Sequence, residues 1–381
     1  MTWLAPPPSG ALSGVRVLDL SRVLAGPLAT MLLADMGADV VKVERPGSGD
    51  DTRAWGPPWR EADGERESAY YLSVNRNKRS VTIDLGTDDG RETVRRLAIE
   101  ADVVVENFKP GTLERMQLDH GTLAALNPRL ITCSITGFGP GPLADQPGYD
   151  AMIQAMSGLM SITGEADGEP LKVGVAIVDV LTGLFAATGI CAALASRAAT
   201  GEGQHVAVSL FDSALASLVN QASNWLVAGV TPQRAGNEHP SIAPYQTYET
   251  ADEPFLLAVG NDEQFRKVCD LFGLGELPND ARFATNAARS EHRRQLNSLL
   301  APVLATRTSK EWLDLLAGAG VPAGPVNTIP QAFALAAPWL TTHPVFGEIA
   351  TPANPIRMSA TPTGARLPPP RLGEHDADVD A

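Results

Sequence analysis

The sequence predicts an α/β protein with an open, mostly parallel sheet in a large domain and a smaller α+β domain beside it. Short Val-, Ile- and Leu-rich runs alternate with helical stretches through the first third of the chain, the pattern of strands buried on both faces and joined by crossover helices. A long helix of small residues then leads into one more strand-like run. From about residue 225 the composition changes to a polar loop followed by a new strand and helix. The expected boundaries are a large domain beginning over 1–205, a linker over 206–224, a small domain over 225–325 and a return segment over 326–381 that completes the large domain.

In order along the chain, strands are expected at Val15–Leu20, Asp39–Glu44, Ser80–Leu85, Asp102–Glu106 and Leu130–Ile135, with helices over Gly26–Met36 and Gly90–Glu100. The stretch GLFAATGICAALASRAA, from Gly183 to Ala199, suits a closely packed helix, and His205–Leu210 reads as the strand after it. In the second domain Phe255–Val259 is a strand, and Asn261 opens a helix. The Pro-rich tail, with Pro368, Pro369 and Pro370, reads as an extended surface segment.

Composition narrows the function. A net charge of −14 argues against nucleic acid as a partner, because phosphate backbones require clustered cations. Cys133, Cys191 and Cys269 are widely spaced among apolar neighbours, so they read as buried thiols of a reducing compartment. No metal site is expected, since the six histidines form no ligand-spaced pair. No long uncharged apolar run suggests a membrane partner and no basic leader precedes an apolar stretch at the N-terminus, so a cytoplasmic location is expected. Gly137-Phe138-Gly139-Pro140-Gly141 lacks the dinucleotide and phosphate-loop patterns, and no nucleophile elbow is present.

What remains is one carboxylate and three basic loops. Asp179 stands inside the apolar run GVAIVDVLTG, where it either caps a helix beginning at Val180 or presents a poised carboxylate to a cleft. Arg45 follows one expected strand, Arg76, Lys78 and Arg79 precede another, and Lys109 with Arg115 follows a third. Three such loops at strand ends point to an extended anionic ligand.

The motifs LSGVRVLDLSRVLAGP, DMGADVVKVERPGSGD, NRNKRSVTIDL, ADVVVENFKPGTLERM, GYDAMIQAMSG, GEGQHVAVSLFD and the late LGEHD carry a resemblance to the family III CoA-transferases, which include formyl-CoA:oxalate and carnitine CoA-transferases and the α-methylacyl-CoA racemases. It extends from Leu12 to about Asp376. The resemblance implies a Rossmann-like sheet, an interlocked homodimer, and an acyl-CoA and a small carboxylic acid as substrates, with no permanently bound cofactor. It implies Asp179 as nucleophile, Asp150 and Tyr149 as its catalytic neighbours, and Ala25, Arg45, Ile83, Asn107, Phe108, Lys109 and Arg115 as the CoA site. The wording HPSIAPYQ is closest to transferases that use succinyl-CoA and dicarboxylic acids; it makes His239 and Ser241 candidates for binding a distal carboxylate, or else ordered loop residues.

The implied chemistry is carboxylate exchange. Asp179 attacks a thioester to give a mixed anhydride, CoA thiolate converts this to an aspartyl-CoA thioester, and an acceptor carboxylate reverses the sequence. Two other readings compete. Racemases of this family carry a His directly before the residue matched by Asp150, whereas Tyr149 stands here and a phenol is a weak proton shuttle at neutral pH. A non-catalytic CoA-ester-binding protein is disfavoured by the presence of Asp179, Asp150 and Tyr149 together.

Overall fold

A computed structural model describes residues 10–378. They divide into two compact units, the first built from the chain up to Leu159, Lys172–Val230 and the chain from Ala337 onward, the second from Met160–Leu171 and Thr231–Ala336. The first unit contains β1 (Arg16–Asp19), α1 (Ala25–Asp35), β2 (Asp39–Glu44), the hairpin β3 (Trp59–Ala62) and β4 (Glu65–Ser68), α2 (Ala69–Ser73), β5 (Lys78–Thr82), α3 (Asp88–Glu100), β6 (Val103–Glu106), α4 (Thr112–Met116), α5 (His120–Leu126), β7 (Ile131–Thr136) and α6 (Asp150–Met156). It resumes with α7 (Ile177–Thr200), β8 (His205–Ser209), α8 (Leu210–Ser217) and α9 (Val219–Ala228). The second unit contributes β9 (Tyr245–Tyr248), β10 (Phe255–Ala258), α10 (Asp262–Leu271), α11 (Asn286–Glu291), α12 (Arg293–Leu304), α13 (Ser309–Gly318), β11 (Ala323–Pro325) and α14 (Ile329–Leu335). The hairpin β12 (Trp339–His343) and β13 (Gly347–Thr351) returns to the first unit.

Six parallel strands form the main sheet in the order β5-β2-β1-β6-β7-β8. Alternation along each strand sends Val17, Val40, Val103, Val105, Ile131, Cys133 and Ile135 into one core with α1 and α7. Leu18, Val41, Val43, Val81 and Val104 face the other way, into the core with α3. Strand order reverses between β1 and β6, so the chain leaves the carboxyl ends of β1, β2 and β6 around a shared crevice, the place where open α/β sheets hold ligands. The second unit has its own core, in which Phe255, Phe265, Phe283, Leu296, Leu300 and Trp312 are buried beneath the antiparallel sheet β11-β10-β9.

Four expectations need correction. The expected linker over 206–224 is part of the first unit: the apolar alternation of β8 pairs it in parallel with β7, and α8 follows directly. The second unit also takes residues 160–171 and extends to Ala336, beyond the expected end at 325. The basic run Asn75–Ser80, which enters β5, turns its cations into the fold and not toward a ligand. Arg76 pairs with Asp35 at 2.6 Å, Lys78 with Asp19 at 3.1 Å and Arg79 with Asp39 at 2.8 Å, and all three cations are buried, so these charges are spent on carboxylates of the same fold. Finally, the Pro-rich tail is extended but docked. Pro369 and Pro370 are buried, and His375 donates from its backbone to the Ser80 carbonyl on β5.

Among the described residues α7 is long and apolar enough to span a bilayer by length and composition. The charges of Asp179 and Arg197 lie near its two ends, which is why no longer uncharged run stands out in the sequence. Val178, Thr182, Gly183, Ala186, Ala187 and Ile190 form its buried face.

Candidate active site at the carboxyl ends of the sheet

Of the clefts near the crevice, two are lined by residues that follow β1. One, of about 250 Å³, is lined by Val23, Leu24, Ala25, Asn107, Lys109, Tyr149 and Asp179. The other, of about 290 Å³, is lined by Lys42, Glu44, Arg45, Ile83, Leu85 and Met116. Arg22 and Phe108 line both, so the clefts share a wall. Close packing puts Asp179 there: Gly183, one helical turn further along α7, lies where a Cβ would come within 2.7 Å of the Ala25 carbonyl oxygen. A side chain at 183 would push α7 away from the start of α1.

Asp179 does not cap its helix. The helix begins at Ile177, placing Asp179 in its first turn, and the capping carboxylate comes from Asp150 at the start of α6. Asp150 Oδ2 accepts from the backbone N–H groups of Val178 at 2.8 Å and Asp179 at 3.2 Å. Its other oxygen accepts from Gln154 Nε2 at 2.5 Å, and Gln154 Oε1 accepts from the Val173 N–H at 2.9 Å. Gln154 is fully buried. This relay ties the segment approaching α7, the helix start and α6 together, satisfying two amides that a helix leaves free.

The Asp179 carboxylate itself has no hydrogen-bond or ion-pair partner among the described residues. Burial, and then the nearby Asp150 charge, raise its pKa from 3.8 to about 7. Such a carboxyl exchanges its proton near neutrality and, once ionised, is a poorly solvated oxygen nucleophile.

The sequence pattern of CoA-transferase family III matches residues 12–376. The chain belongs to CoA-transferase family III. The succinate–glutarate CoA-transferase of Agrobacterium fabrum is 48% identical over 97% of this chain and 94% of its own length. The acetyl-CoA:oxalate CoA-transferase of Acetobacter aceti is 39% identical over 97% of this chain and 95% of its own. A solved CaiB/BaiF family protein from Brucella suis superposes with a TM-score of 0.87 at 48% identity, covering 98% of this chain and 99% of that one.

Within this CoA-transferase the expected site residues separate into groups. Ala25, Asn107, Phe108, Lys109 and Tyr149 share the cleft with Asp179, and Arg45, Ile83 and again Phe108 line its neighbour. Tyr149 is 68% exposed. Asn107 is engaged with the protein: its Oδ1 accepts from the Arg22 N–H at 2.9 Å and its Nδ2 donates to the Arg22 carbonyl at 2.7 Å. Arg115 is exposed outside the lining of both clefts and donates to Thr112 Oγ1. His239 and Ser241 lie in the second unit. There the His239 ring stacks on Tyr245, its Nδ1 accepts from the Ser241 N–H at 3.1 Å, and the Ser241 carbonyl accepts from Asn286, all features of an ordered loop.

Sequence reasoning missed Tyr70 and Gln154. Tyr70 packs against the small core of Leu24, Met31 and Val74, as do Ala176 and Val180 from the segment that carries Asp179, and it stacks edge-on against Trp55 with ring centres 5.3 Å apart. Burial and the charges of Asp179, Asp150 and Asp50 raise its phenol pKa to about 12, so it remains a hydrogen-bond donor at neutral pH. Its place next to a second Tyr in AYYLS gives no sequence signal. The spacing of Asp150 and Gln154 at i and i+4 on α6 is a usable signal for the relay.

Proposed function

We propose that this CoA-transferase moves CoA from succinyl-CoA to a small dicarboxylic acid of the glutarate type, with Asp179 as the covalent carrier. The observation that carries the reading is Asp179 itself: desolvated, without a partner among the described residues, at a cleft, on a helix start held by another carboxylate. The substrates are suggested by relatives along nearly the whole chain, including the human succinyl-CoA:glutarate CoA-transferase at 41% identity and the succinyl-CoA–D-citramalate CoA-transferase of Chloroflexus aurantiacus at 38%.

In the proposed sequence, an Asp179 oxygen adds to the thioester carbonyl and the C–S bond breaks, giving an aspartyl–acyl anhydride and CoA thiolate. The thiolate attacks the Asp179 carbonyl, the donor carboxylate departs, and an aspartyl-CoA thioester remains. The acceptor carboxylate attacks this thioester to form a new anhydride, and the returning thiolate takes the acceptor acyl group. One acyl C–S bond is exchanged for another, so neither ATP hydrolysis nor a redox step is required. Asp150 would hold α7 in place through these steps, while Arg45, Ile83 and Phe108 would contact the nucleotide end of CoA.

The chain would act as a homodimer. Trp225, Leu226 and Val227 on α9 and, separately, Ile329, Phe333 and Leu335 on α14 are exposed apolar side chains of the kind a partner surface covers.

The test is intact-mass measurement after incubation with succinyl-CoA, for wild type and Asp179→Ala, with hydroxylamine treatment in parallel. A CoA-sized, hydroxylamine-labile adduct on wild type and its absence from the variant are expected. An adduct that persists on Asp179→Ala would sink the assignment of the nucleophile.

A further inference from the structure

Three consecutive residues in the turn after β1 are gripped from outside the turn. Lys42 Nζ donates to the Ser21 carbonyl at 2.8 Å. Asn107 takes both backbone groups of Arg22, as described above. The Val23 N–H is shared between the two carboxylate oxygens of Asp50, at 3.2 and 3.3 Å.

The grip has a local reason. Val23 has φ +73°, the left-handed region that β-branched residues strongly disfavour. Such a conformation persists when the surroundings over-determine it. Asp50 is itself deeply embedded. It is 1% exposed, its partner Lys42 lies at 2.9 Å with no exposed surface, and Thr52 donates to it from both N–H and Oγ1. Residues 22–25 in turn line the cleft that Asp179 lines.

We propose that Asp50 is a positioning residue for CoA transfer: paired with Lys42, it holds Val23 left-handed and so fixes the Val23–Ala25 wall of the Asp179 cleft. Asp50 acts through the backbone. The proposal rests on the reading that the reaction takes place at Asp179. A thioester lying along this wall is aligned with the carboxylate, and loosening the wall misplaces the reacting carbonyl more than it weakens the distant CoA contacts.

The experiment is a rescue. With succinyl-CoA and glutarate, Asp50→Ala is expected to lower kcat by about 10²-fold while KM for succinyl-CoA moves less than about threefold. Val23→Gly in the Asp50→Ala background is expected to recover at least about tenfold of kcat, because glycine takes positive φ without a clamp. Val23→Gly alone is the reference for that double variant. A role limited to neutralising Lys42 predicts no rescue, since the buried ammonium lacks its partner in both backgrounds. Should Asp50→Ala not fold, Asp50→Asn with and without Val23→Gly makes the same comparison at nearly unchanged volume. Wild-type kcat in the Asp50 variants, or a loss that Val23→Gly leaves untouched, overturns the proposal. Wild-type adduct formation with succinyl-CoA is measured alongside: its absence removes the Asp179 reading, whereas its presence with unaffected Asp50 variants removes the positioning role alone.

Discussion

Helices α6 and α7 each begin with an aspartate in the first turn, and the fold treats the two carboxylates in opposite ways. Asp150 accepts three hydrogen bonds, two from the start of α7 and one from Gln154. Asp179, close enough to feel Asp150's charge, accepts none among the described residues and is raised to about 7. The same functional group becomes a structural clamp where donors surround it and a carboxyl that holds its proton longer where they are withheld. Helix position alone decides neither outcome.

The largest expected effect comes from removing the withheld carboxylate. Asp179→Asn keeps the shape and removes the proposed nucleophile, and a fall in kcat/KM for CoA transfer of at least about 10³-fold is expected in steady-state assays. Removing the clamp is expected to cost less. Asp150→Ala leaves the Val178 and Asp179 amides uncapped, with a loss of about 1 kcal/mol in chemical denaturation and about tenfold in kcat.

The pH dependence sharpens the contrast. In wild type, kcat/KM should rise with pH and level off above about 7, as Asp179 ionises. Asp150→Asn keeps an acceptor oxygen for the helix but removes the like charge, so the midpoint should move down. It should remain above 3.8, because burial is the larger cause of the shift. Stability carries the opposite sign. Between 3.8 and about 7 the folded chain retains a proton on Asp179 that the unfolded chain releases, so this group's contribution makes the protein less stable as pH rises through that window. Melting curves of Asp179→Asn should lack that component and lie above wild type at pH 8.

The smallest effect tests the relay. Gln154→Leu preserves bulk but unties Asp150 Oδ1 and the Val173 N–H, and a few-fold loss of kcat with an unchanged KM for succinyl-CoA is expected. An equal loss from Gln154→Leu and Asp150→Ala would mean that the cap depends wholly on the relay.

Local chemistry made much of the fold legible. Strands such as Asp39–Glu44 and helix starts such as Asn261 declare themselves through short-range periodicity and capping residues. The run Asn75–Ser80 shows where that logic stops. Three cations among polar neighbours look solvated, yet their partners Asp35, Asp19 and Asp39 are supplied by α1, β1 and β2, each of which gives no separate sign of a buried charge. Asp179 could be singled out because a whole set of ordered motifs surrounds it, while the cap of its helix could not, since the bond to Asp150 closes across 29 positions of sequence. Asn107 was expected in the CoA site and does line the Asp179 cleft, but only the folded backbone reveals that its amide is occupied by Arg22.

The docking of residues 367–376 along β5 also bears on the order of events during synthesis. Ser80 meets Gly373 and His375 across 293 and 295 positions of chain, so at about 5–20 residues per second the outer edge of the nascent sheet waits roughly 15–60 s for its cover. An open parallel edge invites pairing with other chains in that interval. The acidic and proline-rich segment therefore serves as a closing seal, and a ribosome that stalls shortly before it would release a sheet complete in its strands and still adhesive along one side.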